Sequence, residues 1–181
     1  SGTAKNPKLE VVKETLTSQI KIHAPFGGVV PNLAKREHIK NLPILLERLL
    51  GKEQAAEREW KNIDAIAVTV GPGLEPALWP GIEFAKTLTH DVRQTTINKR
   101  LQIIGANHLE GHLYSFLLPS RSSTAYTSAL LPQTIFPAIA LIVSGGHTIL
   151  LYVESLSKWK KLGETRDDAA GEAFDKVARL L

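Results

Sequence analysis

The chain has 181 residues, 43% hydrophobic and 22% charged, a balance that suits a soluble fold with a substantial core, as one domain or two small lobes. Cysteine is absent, which excludes disulfides, thiolate metal sites and cysteine nucleophiles and leaves any metal to imidazole, carboxylate and water. A formal charge of +4 and an isoelectric point near 9.3 suit an anionic partner.

No apolar run approaches the roughly 20 residues of a membrane span, and Ser-Gly-Thr-Ala-Lys lacks the apolar core of a signal peptide, so a cytoplasmic location is the default expectation. Methionine is also absent, and the Ser-Gly start reads as a trimmed terminus. In chain order, Leu16 to Ile22 alternates as a strand and leads into the turn-rich His23-Ala-Pro-Phe-Gly-Gly28. Pro31 opens a long amphipathic helix that ends at Gly51. After the charged stretch 52 to 61, Ile63 to Val70 reads as a buried strand and Gly71-Pro72-Gly73 as a sharp loop. Gly81 to His90 is a second helix and Leu101 to Gly105 another strand. Asn107 caps a third helix, with Glu110 in capping-box position. Pro119 to Gln133, rich in Ser and Thr, reads as a linker. Strands Ala138 to Val143, Ile149 to Val153 and Trp159 to Glu164 follow, then a terminal helix from Asp167. Alternating strands and helices predict an α/β fold, with a second lobe beginning near Phe136.

Three constellations carry chemistry. Ser144-Gly-Gly-His-Thr148 joins two apolar strands, the first of them read as buried, and paired glycines there let backbone N–H groups approach an anion such as phosphate. The alternative is a plain hairpin whose glycines supply positive φ. In His108-Leu-Glu-Gly-His112 the two histidines lie about 40° apart on a helix, close enough to share a metal ion. A metalloprotease needs its Glu directly after the first His, whereas Glu110 points about 180° from the pair and suits helix capping. Solvated histidines are the alternative. The third constellation has four carboxylates, Asp167, Asp168, Glu172 and Asp175, the last three spaced for one helical stripe beside Ala169, Ala170 and Gly171. A helix N-terminus accounts for Asp167 and Asp168, and Asp175 is the candidate for binding ribose or substrate hydroxyls.

These motifs occur in a specific order. His-x-x-x-Gly-Gly-Val-Val-Pro with Arg-x-His spans 23 to 38, Val-Thr-x-Gly-Pro-Gly-Leu 68 to 74, Phe-Ala-Lys 84 to 86 and Asn-His-x-Glu-Gly-His 107 to 112. Val-Ser-Gly-Gly-His-Thr follows at 143 to 148 and Asp-Asp-Ala-x-Gly-Glu-Ala-Phe-Asp-Lys at 167 to 176. The chain thereby resembles the tRNA adenosine threonylcarbamoyltransferase (TsaD) family from about Lys8 onward. The resemblance implies the two-lobed actin/heat-shock-ATPase-like (ASKHA) fold, with nucleotide and metal in the cleft between lobes. In that scheme residues 1–118 are a first lobe without the family's opening strand, 119–135 a linker and 136–181 the start of a second lobe.

The activity implied is transfer of the threonylcarbamoyl group from threonylcarbamoyl-AMP to the N6 amine of adenosine 37 in tRNAs reading codons that begin with A. Carried over by motif, His108 and His112 are metal ligands, for iron or zinc. Ile142, Val143, Ser144, Gly145, Gly146 and Asp175 bind substrate, and no side-chain nucleophile is required. Implied partners are tRNA and TsaB-like and TsaE-like proteins. Lys35, Arg36, Lys40, Lys99 and Arg100 are candidate phosphate contacts. The family's Glu-Thr-Ser segment and its third metal ligand, an aspartate, have no counterpart here. The chain is therefore expected to be an interior portion of the family's protein, inactive when isolated. The alternatives are a metallopeptidase built on the histidine pair and a non-catalytic scaffold partner of the same fold.

Overall fold

A computed structural model describes residues 11–51, 63–95, 101–118 and 135–181. The charged stretch 52–61, Lys99, Arg100 and the 119–134 part of the expected linker lie outside the described residues. Two compact units make up the described chain, one of Val12–Gly111 and one containing His112–Leu181. Both mix helix and strand, in keeping with an α/β fold.

In Val12–Gly111 the strand expected over residues 16–22 does not form. Residues 11–19 carry no regular element, Ile20–His23 is a one-turn helix (α1), and Ala24–Phe26 continues as a 3₁₀ turn closed by Gly27 at φ 68°. Val12, Leu16 and Ile20 are 90%, 85% and 76% exposed, so among the described residues the alternation buries no face against a sheet. The amides of Ile22 and His23 bond locally to the Gln19 carbonyl instead. Helix α2 (Pro31–Leu50) starts on Pro31, whose fixed φ and missing N–H suit a first turn, and ends where the Gly51 amide donates to the Glu47 carbonyl.

A βαβ unit follows: β1 (Ala65–Gly71), α3 (Glu75–Thr95) and β2 (Gln102–Asn107), with β1 and β2 parallel from Ala65 opposite Gln102 to Thr69 opposite Ala106. Leu88 and Leu101 are the buried centre, covered by Leu46 and Leu50 of α2, Phe84 of α3, and Ile63 and Ile66. At Gly105 an added Cβ would come within 3.3 Å of the Val70 side chain, so only glycine lets the strands pack there without displacement. The sequence places β1 close to its observed span, but the strand is only partly buried, with Val70 half exposed. Helix α3 begins six residues before the expected Gly81. Its Pro80 lies inside the helix, where a proline costs about 3 kcal/mol in an exposed interior; here the residue is buried.

Helix α4 (His108–Leu113) starts directly after β2. In the unit containing His112–Leu181, β3 (Ala138–Val143), β4 (Thr148–Ser155) and β5 (Lys158–Glu164) form an antiparallel meander, followed by α5 (Ala170–Ala178). All three strands agree with the sequence reading. Burial does not: β3 is not a fully buried run. Ile142 packs inward with Ile149, Leu151 and Val153, whereas Ile139, Leu141 and Val143 on the opposite face are 61%, 63% and 53% exposed.

Leu101 is 1% exposed, and truncating it to alanine is expected to cost about 2–5 kcal/mol. Hydrogen exchange should show faster opening of β1, α3 and β2, with β3 to β5 much less affected.

Candidate functional site

The Ser144–Thr148 segment is the hairpin turn read from the sequence, with Val143 opposite Thr148 closing it. Ser144 organises it: its amide donates to the His147 carbonyl at 2.8 Å, and its hydroxyl oxygen accepts from the His147 amide at 3.0 Å. The simple explanation of the glycines fails. Neither Gly145 nor Gly146 has a positive φ, and a Cβ on either would meet nothing within 4 Å. Both are exposed. Their lack of side chain is demanded by neither backbone geometry nor packing, and it leaves a bare stretch of main chain that a ligand can approach.

Helix α5 is seated on this turn, and it starts at Ala170 rather than at Asp167. Its N-cap residue, Ala169, has no capping side chain. The Ala170 amide donates instead to Thr148 Oγ1 at 2.9 Å and the Gly171 amide to the Ser144 carbonyl at 3.2 Å. A Cβ on Gly171 would lie 2.7 Å from Ser144 O, closer than real Cβ contacts come. Because the helix starts late, Asp168 is not on the helical stripe with Glu172 and Asp175. The three are divided: Lys176 Nζ binds Asp168 Oδ1 at 2.5 Å and Glu172 Oε1 at 3.2 Å, and those hydrogen bonds raise the Lys176 pKa above its ordinary value. Asp175 sits one turn inside α5 with its side chain exposed.

His108 and His112 both lie on α4, and both are exposed. Asn107 caps that helix as its sequence position suggests, its Oδ1 accepting from the Leu109 amide at 2.9 Å and the Glu110 amide at 3.3 Å. Two imidazoles one turn apart are suitable donors for zinc or iron, and they fit as part of such a site. Among the described residues, no group of three His, Cys, Asp or Glu side chains is placed to hold a metal ion. Lys35, Arg36 and Lys40 are exposed on α2.

A cavity of about 610 Å³ in Val12–Gly111 is lined in part by Gln19, His23, His38, Thr69, Pro72 and His108, of which the sequence assigns chemistry to His108 alone. It lies at the carboxyl ends of the parallel strands, where β1 passes into the Gly71-Pro72-Gly73 loop and β2 into α4. Open α/β sheets bind their ligands at that end. His23, only 7% exposed, accepts the Val30 amide on Nδ1 at 3.3 Å, so Nε2 carries the proton of the neutral ring and donates to Gln19 Oε1 at 3.1 Å. His38 Nδ1 donates to the Ala34 carbonyl at 2.7 Å and lies 3.2 Å from Gln19 Nε2. A usable signal was present, with Gln19 one helical turn before His23 and two histidines flanking the Gly27-Gly28 turn and the start of α2.

Residues 10–181 match a family described as tRNA N6-adenosine threonylcarbamoyltransferase. The chain belongs to that family. It is 49% identical over 172 residues to the tRNA N6-adenosine threonylcarbamoyltransferase of Dictyoglomus turgidum, covering 95% of this chain and 45% of the relative. It is 41% identical over 181 residues to that of Geobacillus thermodenitrificans (100% and 46%) and 45% identical over 172 residues to that of Syntrophomonas wolfei (95% and 44%). The chain thus spans about half the length of the curated relatives it matches. No helix among the described residues is long and apolar enough to cross a membrane.

Replacing Gly171 by alanine is expected to destabilise the chain by about 1–3 kcal/mol, because the clash is with backbone. Gly145→Ala, which enters open space, should leave the urea midpoint nearly unchanged. Asn107→Ala should lower stability by about 1 kcal/mol through loss of the α4 cap.

Proposed function

We propose that this chain supplies substrate- and metal-binding parts of a tRNA N6-adenosine threonylcarbamoyltransferase of the two-lobed ASKHA fold. Residues 1–118 are most of lobe one, 119–135 the linker and 136–181 the start of lobe two. The reaction transfers the threonylcarbamoyl group from threonylcarbamoyl-AMP to the N6 amine of adenosine 37. The amine nitrogen bonds to the carbamoyl carbon, the bond from that carbon to the phosphate oxygen breaks, AMP leaves with the electron pair, and the amine releases a proton. Its partners are tRNA and TsaB-like and TsaE-like proteins, and its place is the cytoplasm.

Family membership supports the reading, and the observation that carries it is the pair Gly145 and Gly146, whose bare backbone has no explanation in φ or packing. Ile142 and Val143 fix the strand that ends in that turn, Ser144 holds its main chain, and the Gly145 and Gly146 amides accommodate the adenylate phosphate. Asp175 accepts hydroxyl groups of the nucleotide. Holding the donor in one orientation is the main contribution asked of these residues. His108 and His112 would hold an iron or zinc ion, which when bound supplies Lewis-acid polarisation of an oxygen ligand.

Gly145→Ala and Gly146→Ala, each introduced into the full-length protein with its partners, should lower threonylcarbamoyl transfer to tRNA by about 10²-fold, the scale of a misplaced reacting group. Unchanged thermal stability should accompany the loss. Transfer at the parental rate would refute the phosphate assignment. In equilibrium dialysis, His108→Ala and His112→Ala should each abolish stoichiometric zinc or iron binding.

A further inference from the structure

Lys176 makes a contact that helix geometry alone does not supply. Glu172 lies one turn before it on α5, the ordinary spacing of a helical ion pair, with Oε1 3.2 Å from Lys176 Nζ. Asp168 lies eight residues before it, which on a continuous helix would be about 12 Å along the axis. Lys176 Nζ meets Asp168 Oδ1 at 2.5 Å all the same, since the chain turns out of the helix at Ala169, whose ψ is 152°. One ammonium thus ties the strand-to-helix connection, residues 165–169, to the second turn of α5.

That connection shares its anchor with the glycine turn. The Thr165 amide donates to the Thr148 carbonyl at 2.9 Å, and the Ala170 amide to Thr148 Oγ1 at 2.9 Å, so Thr148 is bonded to both ends of the connection. In its middle the Thr165 hydroxyl donates to the Asp168 carbonyl at 3.0 Å, and the Asp168 side chain goes to Lys176. The same contact sets the local charge. The start of α5 abuts the turn so closely that a Cβ on Gly171 would lie 3.0 Å from Gly145 Cα. Without a cation beside them, Asp168 and Glu172 would repel an anion brought to Gly145 and Gly146.

We propose that Lys176 is a positioning residue for the acyl donor: by clamping Asp168 and Glu172 it keeps the N-terminus of α5 seated on the glycine turn and weakens the repulsion an anion meets there. The inference rests on the reading of that turn as the adenylate phosphate site and names the side chain that maintains it. Lys176, Asp168 and Glu172 are 53%, 36% and 48% exposed, so the clamp acts locally and adds little to global stability.

The test uses the full-length protein with its partners. In Lys176→Met the thermal midpoint should stay within about 2 °C of the parent. Amide exchange at Ala170 and Gly171 should quicken about 10-fold while β3 to β5 keep their protection. The Kd for AMP and the KM for threonylcarbamoyl-AMP should each rise about 10-fold, and the KM for tRNA should stay within about twofold. Lys176→Arg, which keeps a cation able to bind both carboxylates, should restore all of these values. Lys158→Met, which removes an exposed pair with Glu154 on the β4–β5 hairpin, should alter none of them. Unchanged exchange at Ala170 and Gly171 in Lys176→Met overturns the proposal whatever the activity. A loss that Lys176→Arg does not reverse, or one that raises both KM values alike, overturns it as well. Faster exchange and weaker AMP binding, both restored by Lys176→Arg, in a protein that performs no threonylcarbamoyl transfer would leave the clamp standing and remove the transferase reading instead.

Discussion

The seating of α5 on the β3–β4 turn is the contact on which the glycine loop depends. A helix whose N-cap is alanine has first-turn amides without a local acceptor, and here Thr148 Oγ1 and the Ser144 carbonyl provide acceptors from more than twenty residues away. The approach is so close that residue 171 must be glycine, because a Cβ would fall 2.7 Å from Ser144 O. One consequence is local order: Ser144 is held by His147 on the hairpin side and by Gly171 on the helix side. Another is electrostatic. The amides of Ala170 and Gly171 are occupied within the protein, so the main chain left open to a ligand is that of Gly145 and Gly146.

In Val12–Gly111 the same economy is achieved with a side chain. Segment 24–30 has two glycines and one short 3₁₀ turn, too little local structure to hold its own shape. His23 substitutes for the missing ladder by accepting from the amide of Val30, the N-cap residue of α2, and donating its Nε2–H to Gln19 Oε1. Each of the three groups satisfies another, and this is the condition on which a largely buried imidazole is tolerated. The aliphatic wall of the cavity follows from an orientation set by these bonds, since hydrophobic packing alone does not specify where a loop with so much conformational freedom comes to rest.

What was legible in the sequence follows the range of the interactions involved. The α2 span, the Asn107 cap and the three strands after Phe136 rest on neighbours within a few residues, and they were read correctly. Leu16 to Ile22 alternates like a strand but joins no sheet among the described residues, and alternation carries no information about a partner. The start of α3 lies six residues before the expected Gly81, with Pro80 inside the helix and buried, and burial is not legible in a local pattern. Asp168 was assigned to the α5 stripe because its spacing is right, yet the helix begins after it, where Thr148 and Ser144 provide acceptors. The glycine turn was legible as a turn. The φ angles of Gly145 and Gly146, neither of them positive, were not.

Charge gives the two regions different aptitudes. At Gly145 and Gly146 the turn offers main-chain dipoles with no side chain beside them, an environment that favours an anion and imposes little steric demand on it. The cavity at the ends of β1 and β2 offers instead aliphatic walls, with His23, His38 and His108 among its polar side chains, so that apolar surface and imidazole rather than bare main chain face whatever enters it.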